Sequence, residues 1–474
     1  MLHPFIKALL ILIASSLSLA LTRADERPNI IIILCDDLGY GDLSCYGNTV
    51  IRTPNIDHLA SEGIRFTSFY SSSPVCSPSR VGLMTGRTPN RAGVYDWIPR
   101  GNRMHMGKNE FTMPAMLKKT GYATCMSGKW HCNGLFNQKK QPQPGDFGFD
   151  HWFATQNNAA PSHEDPKNFV RNGKSVGITK GFSCQIVAQE AVNWITEHVK
   201  NNPDQPFFSY VAFHEPHEPI ASPVNLVNNY PEAKKKGEAL YYANVENMDS
   251  AVGQITRCLD RLKVKENTLV IFSSDNGPET LNRYRGAWRS HGSPGPLRGM
   301  KLHTHEAGIR VAGIMRWPIQ IKAKQISDAP VSALDLLPTF ASLAAGEIPI
   351  NLKLDGADMV NAFGGATVQR KQPLFWCYYS ALNKAKIAIR DGDWKLLASL
   401  KSADGKNIKA RSITESNRTL LKEAKLGDFE LYKISIDINE MNNLAQKNPK
   451  KLDALTKKLE SIYMNMVQDA KTWQ

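Results

Sequence analysis

Asn29-Ile30-Ile31-Ile32-Ile33-Leu34-Cys35-Asp36-Asp37 is the stretch whose reading decides the fold. A short β-branched run without polar alternation reads as a strand buried on both faces, as in a parallel sheet covered by helices. The layout recurs at Thr268-Leu269-Val270-Ile271-Phe272-Ser273-Ser274, again followed by polar residues, Asp275-Asn276-Gly277. A third strand candidate, Phe207 to Phe213, ends at His214. Upstream of the second, Val245, Met248, Val252, Ile255, Leu259 and Leu262 recur every three or four residues, one face of a helix packed on a sheet. Strands alternating with helices predict an α/β fold, with a mostly parallel central sheet flanked by helices.

The texture changes near Leu374. Ala385 to Leu397 reads as a hairpin turning at Asp391-Gly392, and Pro449 to Met466 as an amphipathic helix. We therefore expect a catalytic domain over 25–370 and a smaller α+β domain with antiparallel strands and a terminal helix over 371–474. Residues 1–24 form a separate unit. Lys7 precedes an apolar or small stretch from Ala8 to Leu21, with Ala20 or Ala24 as cleavage positions. A membrane span needs about twenty apolar residues, so this reads as a signal peptide. The expected mature protein is secreted or periplasmic, with no membrane span.

Of the 474 residues, 58 are Lys or Arg and 44 Asp or Glu, a net charge of +14. Such a balance favours an anionic partner: nucleic acid, an anionic membrane, or a sulfated or phosphorylated substrate. No nucleic-acid-binding motif is present and export argues against one, so no nucleic acid is expected. The basic stretch Lys401 to Lys425 reads as a solvated loop, or as the rim of a site for an acidic polysaccharide. The eight cysteines show no CxxC pair and no cysteine–histidine cluster at zinc spacing.

Ligands of open α/β sheets gather at the carboxyl ends of the strands. Three strand ends here deliver Asp36-Asp37, Asp275-Asn276 and His214. Carboxylates with an amide oxygen are hard ligands suited to Ca²⁺ or Mg²⁺. Taken singly, each pair also reads as a helix cap or a turn.

The sharpest signal is Cys76-Ser77-Pro78-Ser79-Arg80, followed by Met84-Thr85-Gly86-Arg87. These residues resemble the signature of the sulfatase family, Cys-x-Pro-x-Arg and then Leu-Thr-Gly-Arg, with Met84 in place of the Leu. The resemblance continues through Gly128-Lys129-Trp130-His131, Asp275-Asn276-Gly277, Leu297-Arg298-Gly299-Met300-Lys301, Arg390 to Leu396 and Glu430-Leu431-Tyr432. It implies an alkaline-phosphatase-like fold and a sulfuric ester hydrolase resembling arylsulfatases and N-acetylgalactosamine 6-sulfatases, acting on sulfated carbohydrate.

It also implies that a formylglycine-generating or sulfatase-maturing enzyme oxidises Cys76 to formylglycine during export. One Ca²⁺ would be held by Asp36, Asp37, Cys76 as formylglycine, Asp275 and Asn276. Arg80 would orient the nucleophile, while Lys129 and Lys301 clamp sulfate. His131 would take a proton from the diol, and His214 would protonate the departing alcohol. Lys129 and His131, two apart on an extended segment, would face the same way. His217 competes with His214 and is expected nearer the sugar, with His291 also against substrate; His303 and His305 flank the Lys301 segment. Ala307 stands where many members have Gly, which alters only a turn. Two other readings remain: a phosphate or phosphonate monoester hydrolase of the same superfamily, and a non-catalytic binder of sulfated glycans in which Cys76 stays a thiol.

Overall fold

A computed structural model describes residues 27–473; the expected signal peptide lies outside them. The strands are β1 (Asn29–Asp36), β2 (Ile64–Tyr70), β3 (Ala123–Lys129), β4 (His151–Thr155), β5 (Phe169–Arg171), β6 (Lys174–Gly177), β7 (Phe207–Pro216), β8 (Thr268–Ser274), β9 (Arg310–Arg316), β10 (Gln325–Ser327) and β11 (Val331–Ser332). They form one sheet in the order β10-β2-β9-β8-β1-β7-β3-β4-β5-β6, with β11 beside β2. The centre, β8-β1-β7-β3-β4, is parallel throughout. Antiparallel pairs flank it, through β9 on one side and β5 on the other.

The isoleucine run explains the architecture. Ile30, Ile32 and Leu34 enter one core with Val81, Leu83 and Phe340, while Ile31, Ile33 and Cys35 enter the other with Val245, Met248 and Val252. Alternate side chains of a strand point to opposite faces, so an unbroken apolar run has a core on each side. Each buried isoleucine contributes about 1.5–3 kcal/mol. The helix Glu238–Arg261 carries the expected apolar face.

The carboxyl-terminal portion builds a second, antiparallel sheet from β12 (Leu374–Cys377), β13 (Ile387–Asp391), β14 (Trp394–Lys401) and β15 (Lys425–Lys433), in chain order. β13 and β14 form the expected hairpin, with Asp391 opposite Trp394. The helix Pro449–Asp469 lays Leu455, Leu459, Ile462 and Met466 over this sheet. Lys395 of β14 is fully buried between Glu306 and Glu440, 2.8 Å from each carboxylate. Among the described residues no helix is long and apolar enough to cross a membrane, and all eight cysteines are free.

Candidate active site

Consecutive strand residues normally point to opposite faces, yet Asp36 and Asp37 reach one site. Two local distortions allow it. The β1–β7 register shifts between Leu34 and Asp36, and such irregularities re-aim side chains beside active sites. Asp37 then adopts φ 64, a left-handed conformation that aspartate tolerates better than most residues. Its backbone N–H donates to Asp275 Oδ1 at 3.3 Å, and its carboxylate accepts from Asn276 Nδ2 at 2.7 Å. Gly277 passes so close to the next turn that a Cβ would lie 1.6 Å from the Ala307 carbonyl oxygen. Ala307 itself is buried in a short helical turn, Glu306–Ile309, with no positive φ.

Cys76 opens the helix Cys76–Thr85 and is only 3% exposed. Four residues on, Arg80 is buried, donating from Nε to Asp275 Oδ2 at 2.9 Å and from Nη1 to the Lys129 carbonyl at 3.0 Å. One guanidinium thus ties the Cys76 helix to the ends of β8 and β3. Lys129 Nζ meets Asp36 Oδ2, and Lys301 Nζ meets Asp37 at 2.7 Å. The expected cluster of Asp36, Asp37, Cys76, Arg80, Lys129, Asp275, Asn276 and Lys301 therefore assembles at one sheet edge.

The electrostatics fit a divalent cation. Burial pushes the Asp37 carboxyl up to about 6 and the Asp275 carboxyl up to about 7, with Asp36 adding repulsion to both. Asp36 Oδ1 and Asn276 Oδ1 are buried without a hydrogen-bond partner among the described residues. A buried acceptor left unpaired costs about 1–3 kcal/mol. The donor atoms of Asp36, Asp37 and His217 lie within 4.8 Å of one another. Open oxygens among mutually repelling carboxylates suit a hard cation such as Ca²⁺.

The histidines depart from expectation. The segment after Lys129 is not extended throughout: His131 has φ 53. His131 nevertheless lines the same cavity as Cys76, with Nε2 3.1 Å from the Ile98 carbonyl and Nδ1 buried and unpartnered. Burial, Lys129 and Arg80 hold its pKa well below the usual histidine value, so it stands as a neutral acceptor.

His214 is the main correction. Its ring is buried inside β7, which runs on to Pro216, and its Nε2 is 2.8 Å from the Thr155 hydroxyl. It is not among the cavity walls. His217 is: 13% of its side chain is exposed and its Nε2 is 3.6 Å from Asp37 Oδ2. A proton donor must reach the leaving group, so the acid assignment does not fit His214. His291 is also turned away, with Nε2 2.9 Å from the Lys236 carbonyl. His303 faces the Met300 and Lys301 carbonyls, and His305 pairs with Glu430.

Two residues escaped the sequence reading. Glu279 takes both a 3.6 Å approach from Lys301 and a two-pronged contact from Arg283. Those cations outweigh burial and hold its carboxyl down to about 2. An acid two residues past Gly277 was the available signal. Asp96 accepts from Tyr378 and Ser380, both at 2.9 Å, joining the two sheets across the cavity. No local pattern marked it.

The sulfatase family model matches residues 28–347, most of the chain. The chain belongs to the sulfatase family. N-acetylgalactosamine-6-sulfatase of Sus scrofa is 34% identical over 391 residues, 77% of this sulfatase and 72% of that relative. N-acetylgalactosamine-6-O-sulfatase of Bacteroides thetaiotaomicron is 29% identical, with 92% of this chain and 93% of the relative covered. Among solved structures, Ps i-CgsB in complex with k-i-k-neocarrahexaose shares the fold at TM-score 0.79 and 28% identity, covering 95% of each chain. This sulfatase is a sulfuric ester hydrolase with an alkaline-phosphatase-like fold.

Proposed function

We propose that this sulfatase is exported, that Cys76 is converted to formylglycine by a maturing enzyme, that Asp36, Asp37, Asp275 and Asn276 with that residue hold one Ca²⁺, and that its substrate is a sulfated carbohydrate. The observation that carries the reading is the state of Cys76. Burial pushes its thiol up to about 11, and Lys129 and Lys301 offset only part of that shift. At neutral pH an unmodified Cys76 is a protonated thiol, and the thiolate is the nucleophilic form. Cys76 lines the cavity beside His131, His217 and Lys301, where a nucleophile would meet the ester. The hydrate of a formylglycine aldehyde supplies a hydroxyl as nucleophile. The substrate class is inferred from the names of the relatives and from the net charge of +14.

Net hydrolysis consumes one water, breaks the bond between sulfur and the ester oxygen, and releases alcohol, sulfate and a proton. Bound calcium would neutralise the carboxylates and polarise the sulfate oxygens. Arg80 fixes Asp275 and the start of the Cys76 helix. Lys129 and Lys301 present point charges to the sulfate. Neutral His131 accepts a proton. His217, the histidine that faces the cavity, donates one to the departing alcohol. Burial and the nearby lysines hold His217 down to about 3; an added sulfate charge beside it works in the opposite direction.

The test compares aryl sulfate with aryl phosphate turnover and measures the mass of the peptide Ser71 to Arg80 from protein made in a host that performs the maturation. The expected result is preferential desulfation and a peptide lighter by the exchange of thiol for aldehyde. Full desulfation with the thiol intact overturns the mechanism, and preferential phosphate release selects the phosphatase alternative.

A further inference from the structure

The active site opens into a cavity of about 1230 Å³ that extends from Cys76 to β14 and the loop Asn407–Arg411. Drug-sized ligands fill sites of about 300–1,000 Å³, so this space exceeds what one sulfated sugar needs. Eight of its lining side chains are Lys or Arg and two are acidic, Asp96 and Glu218. The acids are already engaged, Asp96 by Tyr378 and Ser380 and Glu218 by Arg289.

Most of the cations are engaged too. Arg283 pairs with Glu279, Lys301 with Asp37, and Lys384 with Asp428. Lys386 donates to the Ala381 and Asn383 carbonyls. Lys409, Arg411 and Arg285 differ: all three are exposed, and none of their side chains makes a hydrogen bond or ion pair among the described residues. Lys401 and Lys406, outside the cavity walls, pair with Asp428 and Asp404. Trp97, also on the wall, is 48% exposed and stacks on no other ring among the described residues.

We propose that Lys409 and Arg411 form a second anion-recognition site, so that this sulfatase takes a polyanionic oligosaccharide whose neighbouring sugar carries a further sulfate or carboxylate. The proposal rests on the carbohydrate reading above. A single sulfate ester brings one negative charge, which Lys301 meets where it lines the cavity with Cys76. A second charge on an adjoining sugar finds Lys409 and Arg411, with Arg285 a further free cation on the same wall, and the apolar face of a ring packs on Trp97.

Calorimetry with N-acetylgalactosamine 6-sulfate and with a chondroitin 6-sulfate hexasaccharide tests it without requiring turnover. The wild-type protein is expected to bind the hexasaccharide about tenfold more tightly. The triple variant Arg285→Ala, Lys409→Ala, Arg411→Ala is expected to bind both probes alike and to keep its para-nitrophenyl sulfate kinetics. No preference in the wild type, or a preference that survives in the variant, overturns the proposal. Equal losses on both probes and on aryl sulfate do so as well, since the residues would then be structural. Absence of aryl sulfate turnover in the wild type would count against the hydrolytic mechanism and leave the calorimetric comparison standing.

Discussion

Two clusters of buried charge in this sulfatase look alike in composition and differ in closure. At the ends of β1 and β8, Asp36, Asp37 and Asp275 sit among Arg80, Lys129 and Lys301. Between the two sheets, Glu306 and Glu440 sit among Lys395, Arg310 and Arg390. In the second cluster three of the four carboxylate oxygens accept hydrogen bonds, and the fourth, Glu440 Oε1, has only the ion pair with Lys395. Lys395 reaches Glu306 Oε1 and Glu440 Oε1 at 2.8 Å, the Tyr70 hydroxyl reaches Glu306 Oε2 at 2.7 Å, and the Glu306 N–H reaches Glu440 Oε2 at 2.7 Å. In the first, Asp36 Oδ1 and Asn276 Oδ1 are left over, and Cys76, His131, His217 and Lys301 open to the cavity. Charge density does not separate a working site from a structural lock. An entrance does.

The contrast is broken most severely at Cys76. Cys76→Ala should lower aryl sulfate turnover by about 10⁴-fold or more while the melting temperature stays near that of the parent protein, read by steady-state assay and circular dichroism. The closed cluster should respond in the opposite way. Lys395→Met removes the cation that Glu306 and Glu440 share, leaving Glu306 to Arg310 and Glu440 without its buried partner, which costs about 3–5 kcal/mol. Denaturant unfolding reads the loss, and the fraction still folded should turn over aryl sulfate normally. A Lys395→Met protein of parental stability would show that the inter-sheet cluster is not a lock.

Much of this division was legible in advance. Ile30 to Leu34 fixed a doubly covered strand because period-two packing leaves no other home for unbroken apolar residues. Asp36, Asp37, Asp275 and Asn276 followed, since strand ends of a parallel sheet share an edge. The choice between His214 and His217 was not legible. It depends on β7 running as far as Pro216, which keeps His214 inside the strand against Thr155 and brings His217 out at the turn. The lock of Glu306, Lys395 and Glu440 was equally hidden, because partners 45 and 89 positions from Lys395 meet only through the packing of the two sheets.

That histidine choice sharpens the picture of the open cluster. His217→Gln should lower turnover of alkyl sulfate esters by about 10²–10³-fold, with a smaller loss on aryl sulfates whose leaving group needs no proton. His214→Gln should leave both substrates nearly unchanged. Comparing the two ratios across leaving groups separates a proton donor from a buried structural ring. Metal linkage comes next in size. Calcium at one hundred times its dissociation constant should stabilise the protein by about 2.7 kcal/mol, read as a calcium-dependent melting temperature. Asp36→Asn should shrink that increment and Lys395→Met should retain it, because only the open cluster faces the cavity.

The smallest effect comes from a charge group that is neither open to substrate nor sealed. Glu190 accepts from Arg171 at 2.6 and 2.7 Å and sits 2.8 Å from His151 Nε2. Burial alone would raise its pKa, but the hydrogen bonds from Arg171 and His151 win and hold it down to about 2. A depressed carboxyl contributes stability that is complete above its ordinary value near 4.5 and is lost as pH falls toward 2. Arg171 is 45% exposed, so solvent screening limits the contribution to about 1 kcal/mol. Glu190→Gln should therefore cost that much at pH 7 and flatten the acid limb of stability, measured by urea unfolding across that range. An unchanged acid limb would place the contact with ordinary surface pairs, whose energy water has already taken.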